Sequence, residues 1–321
     1  MKVKPFCIAV LLLVVFPQPG FTAAWPSKPI RWIVPYPPGG GNDNISRLMA
    51  NELSKRLGVK IVVENKGGAN GTIGLNSLKH ASPDGYTVST VPSGPLDVNP
   101  ALNSDIQYDP LKDFTYIAPM IKFPLFLVAS HRSGITNIGQ LIQKARQNPG
   151  SVTYSSAGVG NSTHLAGVLL GELTGTKLLH VPYTGTGPAA VAVVSGEVDL
   201  TVGSGPSILP MVSAGKVNLI GVGEAKRLHG MPDVPTLAEQ GVRGYEAYSW
   251  AGVIAPAGVA KEVSDAMSNE ILKAVSDSEF QRRIYDNGMV PLPGSGEDFR
   301  AIVDRDTKKW GELLKSEGLI K

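Results

Sequence analysis

Cysteine is almost absent from this chain, since Cys7 is the only one in 321 residues. A chain with a single cysteine cannot close an internal disulfide, so its stability must come from a packed apolar core. The five histidines, at positions 80, 131, 164, 180 and 229, show none of the close spacings of protein metal sites. We therefore expect a globular protein without disulfides, metal ions or cofactors.

Charge is also sparse and unclustered. The formal net charge is +3, and no segment carries a run of basic residues. This pattern lacks the electrostatic footprint of a nucleic-acid-binding protein. After the amino-terminal segment, no stretch reaches the roughly 18 consecutive apolar residues that indicate a membrane-spanning helix. We therefore expect a soluble mature chain with no nucleic-acid partner.

The amino terminus has the pattern of an export signal. Lys2 and Lys4 precede an apolar segment at residues 6–16, and small residues follow at 22–24. The apolar segment is too short to span a bilayer, which argues against the alternative of a membrane anchor. We predict that residues 1–24 are removed by cleavage after Ala24.

Beyond the signal, short apolar runs alternate with amphipathic stretches, a pattern typical of an α/β fold with a parallel sheet. Predicted strands lie at residues 30–34, 60–64, 86–91, 152–155, 198–202 and 217–222. We interpret two further apolar runs, at 125–129 and 245–254, as crossings between two α/β domains. The predicted domains are residues 25–125 together with 251–321, and residues 126–250, joined by a two-strand hinge.

Glycine-rich loops follow several predicted strands and precede predicted helices, most clearly at residues 36–43 (Tyr-Pro-Pro-Gly-Gly-Gly-Asn-Asp). A helix amino terminus offers free amide hydrogens and the positive end of the helix dipole, so such a loop attracts an anion. Strand ends of open α/β sheets meet in one crevice. The sequence therefore predicts a small carboxylate held between the two domains. The loop lacks the spacing of dinucleotide and nucleotide triphosphate motifs.

An enzyme is the competing class. Ser162, His164 and Asp199 suggest a periplasmic hydrolase, but the serine does not lie in a nucleophile elbow. Ser162 and His164 are two residues apart on a predicted helix, and such residues do not face each other. We predict no catalytic residues and no enzymatic activity.

Many short motifs, spread over the mature chain, resemble those of a single family. They lie at residues 36–43, 63–65 (Val-Glu-Asn), 83–86 (Pro-Asp-Gly-Tyr), 108–110 (Tyr-Asp-Pro), 154–160 (Tyr-Ser-Ser-Ala-Gly-Val-Gly), 180–185 (His-Val-Pro-Tyr-Thr-Gly), 196–199 (Gly-Glu-Val-Asp), 232–236 (Pro-Asp-Val-Pro-Thr), 255–258 (Ala-Pro-Ala-Gly) and 309–310 (Lys-Trp). In these motifs the chain is similar to the tripartite tricarboxylate transporter substrate-binding proteins, also called Bug receptors.

The resemblance implies a periplasmic solute-binding protein of type II, with two α/β domains that close like a Venus flytrap. It implies a di- or tricarboxylate, acidic amino acid or aromatic acid as ligand, held mostly by backbone amides, hydroxyls and water. It also implies delivery to the permease subunits of a tripartite tricarboxylate-type transporter. A sensor that binds the same ligand and feeds a signalling partner is the alternative. We expect a monomer.

The expected ligand-binding residues come from two loop regions, one in each domain. From the first domain they are Tyr36, Pro38, Gly39, Gly40, Gly41, Asn42, Asp43 and Ser93, and from the second Ser155, Ala157, Gly158, Gly160, Ser162, His164, Tyr183, Thr184, Gly185, Pro188, Ala189 and Ser204. The family usually has threonine where Asn42 stands, which bears on ligand identity.

Several of these residues have a structural alternative. Asp43 could recognise a ligand ammonium group or water, or it could cap its helix. His164 could donate to an anion or pack on the first helical turn. Ser93 and Ser204 could donate to a carboxylate or cap turns, and Tyr183 could stack on the ligand.

Overall fold

The computed structural model of the protein describes residues 25–39, 41–103, 106–316 and 318–320. The predicted export signal, its cleavage after Ala24 and the site residue Gly40 therefore lie outside the described residues.

The first half of the fold begins with three strands and the helices that follow them. Its elements are β1 (Ile30–Val34), α1 (Gly41–Leu57), β2 (Ile61–Asn65), α2 (Thr72–Lys79), β3 (Thr87–Pro92), α3 (Ser93–Asp97) and α4 (Asn99–Leu102). β1 pairs in parallel with both β2 and β3. The strand predicted at residues 30–34 is thus confirmed. Each strand leads into a helix, through a short loop after β1 and β2 and directly after β3, so the starts of α1, α2 and α3 meet at one edge of the sheet.

The second half repeats this order. Its elements are α5 (Ile138–Gln147), β5 (Thr153–Ser156), α6 (Ser162–Thr174), β6 (Leu179–Pro182), α7 (Thr186–Ser195), β7 (Leu200–Ser204), α8 (Gly205–Ser213) and β8 (Val217–Val222). β5 pairs in parallel with β6 and β7, so α6, α7 and α8 also begin at one edge of the sheet.

One long strand, β4 (Phe114–Ser130), runs through both halves. Up to Pro124 it pairs antiparallel with β9 (Tyr248–Pro256), and from Leu125 onward it pairs with β7 and β8. The chain returns to the first half through residues 223–247, where Gly223 donates its N–H to Leu125 and accepts the N–H of Ala247, both at 2.8 Å. Two stretches of chain therefore connect the halves.

The sheet has ten strands, in the order β2-β1-β3-β9-β4-β7-β5-β6, with β8 and β10 (Val290–Pro291) also paired to β4. The predicted return crossing at 245–254 overlaps β9, but residues 248–250 of β9 already pair with residues 122–124 in the first half.

The last helices are α9 (Lys261–Ser276), α10 (Ser278–Asp286) and α11 (Gly296–Ser316). Ser295 and Asp298 form a reciprocal capping box at the start of α11. Phe299 packs into the core of the first half, whereas Trp310 and Leu314 pack with Leu165 of α6 in the second. α11 therefore packs against both halves of the fold.

Candidate ligand-binding cleft

A cleft of about 920 Å³ lies between the two halves, at the edge where the loops converge. That size suits a small-molecule ligand. In the first half its wall consists of Tyr36, Pro37, Pro38, Gly39, Gly41, Asn42, Gly68, Asn70, Gly71, Pro92, Ser93, Gly94 and Phe123. In the second half it consists of Leu125, Ala157, Gly158, Val159, Asn161, Ser162, Thr163, Thr184, Gly185, Thr186, Gly187, Pro188, Ser204, Pro206 and Ser207, and Ser249 completes it.

Helix amino termini from both halves open into this cleft. The N-cap residues of α2 and α7 are Gly71 and Gly185, which have no side chain that could cap the first-turn amides. Ser204 is the N-cap of α8, but its side chain makes no capping hydrogen bond. First-turn amides have no partner within their own helix. The cleft therefore offers N–H donors and positive dipole ends to an anion.

None of the described residues that line the cleft has a charged side chain. Their polar groups are the hydroxyls of Tyr36, Ser93, Ser162, Thr163, Thr184, Thr186, Ser204, Ser207 and Ser249, and the amides of Asn42, Asn70 and Asn161. Phe123, Leu125 and Val159 give the cleft an apolar component. An anion would thus be held by dipoles and hydrogen bonds rather than by an ion pair.

Two carboxyl groups lie close behind the first-half wall. Asp43 is only 3% exposed. Burial alone would raise its pKa, but hydrogen bonds from Arg47, from the Gly39 amide and from Asn65 outweigh burial and lower it. Asp97 is fully buried, and burial together with Asp306 raises its pKa well above the usual range. Asp43 is thus paired with Arg47, and the raised pKa favours the neutral form of Asp97, which reduces the repulsion that either carboxyl would exert on an anion in the cleft.

Asp43 has a structural role that differs from both alternatives considered for it. Its carboxylate accepts the Gly39 N–H at 2.9 Å, the Arg47 Nε–H at 3.0 Å and the Asn65 side-chain amide at 2.9 Å. It therefore anchors the glycine loop to α1 and β2 from behind. With these three donors, the carboxylate is engaged within the protein rather than pointing at a ligand.

Tyr36 and Asn70 form a polar corner of the cleft. The Tyr36 hydroxyl donates to Asn70 Oδ1 at 3.3 Å, and Asn70 Nδ2 donates to Asn99 Oδ1 at 2.8 Å. Burial, with smaller contributions from Tyr108 and Asp97, raises the pKa of Tyr36 far above its ordinary value. Tyr36 therefore stays a neutral hydroxyl that can donate a hydrogen bond.

The loop before α6 is shaped by its own polar side chains. Asn161 is the N-cap of α6, with its Oδ1 accepting the Thr163 N–H at 3.1 Å. Thr163 Oγ1 in turn accepts the Ala157 N–H at 2.9 Å. These bonds fold residues 157–161 back onto the start of α6, which brings Gly158 and Ser162 to the cleft.

Most of the expected site residues are brought together at this cleft, and the others lie elsewhere. Outside its wall are Asp43, Ser155, Gly160, His164, Tyr183 and Ala189. The Ser155 side chain is fully buried and donates to the Ala189 carbonyl at 2.9 Å. The Tyr183 hydroxyl donates to Glu197 at 2.7 Å, so that side chain turns toward α7 and away from the cleft.

His164 and Gly160 lie behind the second-half loop rather than on its surface. His164 is 4% exposed, and its Nδ1 accepts the Gly160 N–H at 3.2 Å. For His164 the packing alternative thus agrees with the structure. Ser93 and Ser249, which both line the cleft, are hydrogen-bonded through their hydroxyls at 2.9 Å.

Several lining residues were not among those expected. Gly68, Asn70 and Gly71 belong to a further glycine-rich loop, so the sequence did carry a signal for them. Phe123 lies in β4 just before the apolar run predicted at 125–129, and Ser249 lies in the crossing predicted at 245–254, and neither pattern indicated a ligand site.

The hydrolase alternative finds no support in the geometry. Asp199 accepts hydrogen bonds from Thr153 and Lys144, and His164 accepts the Gly160 amide. The Ser162 hydroxyl donates to Asn161. Within the described parts of the chain, no cluster of three or more histidine, cysteine or acidic side chains could hold a metal ion. No helix there is both long and apolar enough to cross a membrane.

Comparison with known proteins assigns the chain to a family of receptors. The family model of the tripartite tricarboxylate transporter family receptor matches residues 45–319. The UPF0065 protein in the tcbD-tcbE intergenic region of Pseudomonas sp. (strain P51) is 35% identical, over 91% of this chain and 87% of the relative.

Solved structures of the same family resemble this chain over most of its length. Rpa4515 of R. palustris with adipate has a TM-score of 0.85 at 30% identity, covering 92% of this chain and 98% of that one. The periplasmic binding protein BugD has a TM-score of 0.80 at 33% identity, with coverages of 92% and 100%. MatC of Rhodopseudomonas palustris with bound malate has a TM-score of 0.79 at 29% identity, with coverages of 90% and 100%. The expected type II binding-protein fold is confirmed, and the chain belongs to the tripartite tricarboxylate transporter receptor family of solute-binding proteins.

Proposed function

We propose that this protein captures a small carboxylate between its two halves and presents it to the permease of a tripartite tricarboxylate-type transporter. The observation that carries the proposal is the convergence of uncapped helix amino termini on a cleft with no charged side chain among its described lining residues. Such a site favours an anion that can accept several N–H and O–H bonds. None of its described lining residues supplies a carboxylate that could bind a cation.

Two related structures support the choice of ligand class. Rpa4515 was solved with adipate and MatC with malate, and both cover nearly the same length as this chain. The cleft here has an apolar patch of Phe123, Leu125 and Val159 besides its hydroxyls and amides. A carboxylate at the helix termini with a partly apolar body fits both components.

We propose that binding closes the cleft by a hinge motion. The two domains are taken as residues 25–125 with 251–321, and residues 126–250, and the hinge as β4 and the returning segment 223–247. A carboxylate that accepts hydrogen bonds from the loops before α1 and α7 at once would bind the closed form more tightly than the open one. Closure then follows from that difference in affinity.

The proposed setting is the periplasm, reached through removal of residues 1–24 after Ala24, with the protein acting as a binding receptor and not as an enzyme. Amino-terminal sequencing of the protein recovered from the periplasmic fraction tests the location and the cleavage site. A mature chain that begins at Trp25 is expected. Recovery of the uncleaved chain would contradict the proposed cleavage.

A thermal-shift panel tests the ligand class. The mature protein is unfolded, refolded to remove any co-purified solute, and mixed with adipate, malate, citrate, glutamate, benzoate, glucose or putrescine. A ligand at about 100 times its Kd adds about 2.7 kcal/mol, which raises the Tm by several degrees at about 2–4 °C per kcal/mol. We expect a shift with one or more acids and none with glucose or putrescine. Shifts with glucose or putrescine alone would overturn the proposal.

A further inference from the structure

Two histidine rings stack behind the second-half loop of the cleft. His164 lies in the first turn of α6 and His180 in β6, and their ring centroids are 4.0 Å apart with the planes at 29°. Tyr154 of β5 stacks on His180 with a centroid distance of 4.9 Å. Neither histidine lines the cleft, so neither is expected to touch the carboxylate.

Both rings are hydrogen-bonded to the loop at residues 156–160. The Gly160 N–H donates to His164 Nδ1 at 3.2 Å, and His180 Nε2 lies 2.6 Å from the Ser156 hydroxyl. Ser156 Oγ in turn accepts the Gly158 N–H at 3.1 Å. Ala157, Gly158 and Val159 line the cleft between these two attachments, so the histidine pair is bonded to both ends of a ligand-facing segment.

The hydrogen bond from Gly160 requires a particular form of His164. A ring nitrogen that accepts an N–H must carry a lone pair, so His164 is neutral with its proton on Nε2. Burial, aided by the nearby His180, lowers the pKa of His164 to about 4. Burial also lowers the pKa of His180. The neutral form is therefore the one present around pH 7.

Two tyrosine side chains pack next to the pair and along α6. The Tyr154 hydroxyl donates to the His164 carbonyl at 3.4 Å, and the Tyr245 hydroxyl donates to the Ala166 carbonyl, also on α6, at 3.1 Å. Burial raises the pKa of Tyr245. In the described chain, no acidic or basic side chain is hydrogen-bonded to either imidazole.

We propose that His164, stacked on His180, is a positioning residue that holds the loop at residues 157–161 in its ligand-binding shape through the Gly160 amide. The inference rests on the proposed function, since it assigns a role to a residue behind the same cleft. Loss of the acceptor would leave the buried Gly160 N–H without a partner. The loop would then shift to give that amide another hydrogen-bond partner, and the neighbouring N–H donors would no longer point into the cleft.

Two variants separate the acceptor from the bulk of the ring. His164→Asn retains an oxygen near the Nδ1 position and cannot be protonated, whereas His164→Leu fills similar space without an acceptor. At pH 7 we expect His164→Leu to weaken binding of adipate, the probe, roughly tenfold, and His164→Asn to stay within about threefold of the wild type. Equal losses in both variants would mean that the ring acts only by packing and would overturn the proposal.

A second measurement needs no ligand. In the ligand-free wild type, the NMR shift of the Gly160 amide should titrate together with the His164 ring, and in His164→Asn this titration should vanish. Amide exchange at Gly160 should be at least about tenfold faster in His164→Leu than in His164→Asn. If the NMR shift of the Gly160 amide does not change as His164 is titrated, the proposal fails. If no acid binds in the panel, the proposed function fails while this test of the loop still stands. If His164→Leu does not fold, the titration of the Gly160 amide in the wild type and in His164→Asn decides the proposal.

Discussion

Lys122 Nζ and Glu224 Oε2 form a 2.8 Å ion pair at the point where both chain connections pass between the halves. Lys122 lies on β4, and Glu224 follows Gly223, which is hydrogen-bonded to Leu125 and to Ala247. Burial raises the pKa of Glu224, although Lys122 acts in the opposite direction. The pair therefore ties the returning segment to β4 next to the proposed hinge.

The Lys122→Met variant tests the contribution of this pair to stability. It leaves Glu224, which is 7% exposed, without its partner. Breaking a buried pair costs about 3–5 kcal/mol, and since Lys122 is one-fifth exposed we expect a loss of about 2 kcal/mol in the free energy of unfolding. Urea unfolding measures it. The double variant Lys122→Met/Glu224→Gln should recover part of the loss, and a single variant as stable as the wild type would contradict the prediction.

Gly187 offers a substitution that narrows the cleft without disturbing the fold. It lies in the first turn of α7 and lines the cleft, and a Cβ at this position would meet no atom within 4 Å. We expect Gly187→Val to weaken carboxylate binding at least about tenfold, or about 1.4 kcal/mol, because the side chain would occupy space beside the α7 amides. Isothermal titration calorimetry with the acid identified in the panel measures this.

A matched control exists on α11. Gly311 is also helical, and a Cβ added to it would likewise meet no atom within 4 Å, but it lies away from the cleft. Gly311→Val should leave affinity unchanged and should change stability by a similar small amount. Equal affinities for Gly187→Val and Gly311→Val would remove the start of α7 from the binding site.

The parts of the fold that the sequence predicted well are those set by local patterns. The strand predicted at residues 217–222 matches β8, because this mostly apolar run (Val-Asn-Leu-Ile-Gly-Val) directly follows the turn residues Gly215 and Lys216. The glycine loops were equally visible, since left-handed or very open backbone at Gly39, Gly158 and Gly185 depends on residue type. The expectation of a cleft lined by loops from both halves followed from these local signals.

The features that could not be predicted depend on long-range pairing. The strand expected at residues 125–129 is the end of a 17-residue β4, which contains Pro119 and Pro124. Prolines normally indicate a strand end, but the register shifts near Pro119 let β4 continue beside β9. Likewise, Tyr183 was expected at the cleft, but in the folded chain its hydroxyl is hydrogen-bonded to Glu197. Phe123 was not expected there, and only the pairing of β4 with β9 places it at the cleft.

Asp43→Asn tests the anchor behind the first loop. The variant keeps an oxygen for the Gly39 N–H but loses the ion pair with Arg47. We expect a loss of about 1 kcal/mol in the free energy of unfolding at pH 7, since Arg47 is half exposed and the pair is partly screened. Affinity for the carboxylate should fall slightly through the loosened loop. Urea unfolding and calorimetry measure the two effects.

The pH dependence of this effect has a definite sign. The pKa of Asp43 is lowered in the folded protein, so its stabilisation is present above the ordinary value of 3.8 and is lost as the pH falls through the folded value. The wild type and Asp43→Asn should therefore converge in strong acid. A difference that persisted there would mean that charge is not the cause.

His164 should make the protein less stable in a different and milder range of acid. Its pKa is about 4 in the folded protein and 6.5 as an ordinary histidine, so the unfolded chain binds the proton more readily. The contribution of neutral His164 to the free energy of unfolding is therefore fully present above pH 6.5 and is lost as the pH falls toward 4. At about 1.4 kcal/mol per pKa unit, and allowing for solvent screening, the wild type should lose about 2 kcal/mol between about pH 7 and about pH 4.5 through this group.

His164→Asn, which cannot take up the proton, should lose about 2 kcal/mol less than the wild type over the same range in urea unfolding. Asp43 titrates below this range and Asp97 and Glu224 are common to both proteins, so the difference between the two curves reports His164 together with its effect on the stacked His180. Parallel curves would show that the ring is protonated as easily in the folded protein as in the unfolded chain, which the buried stack and the Gly160 hydrogen bond argue against.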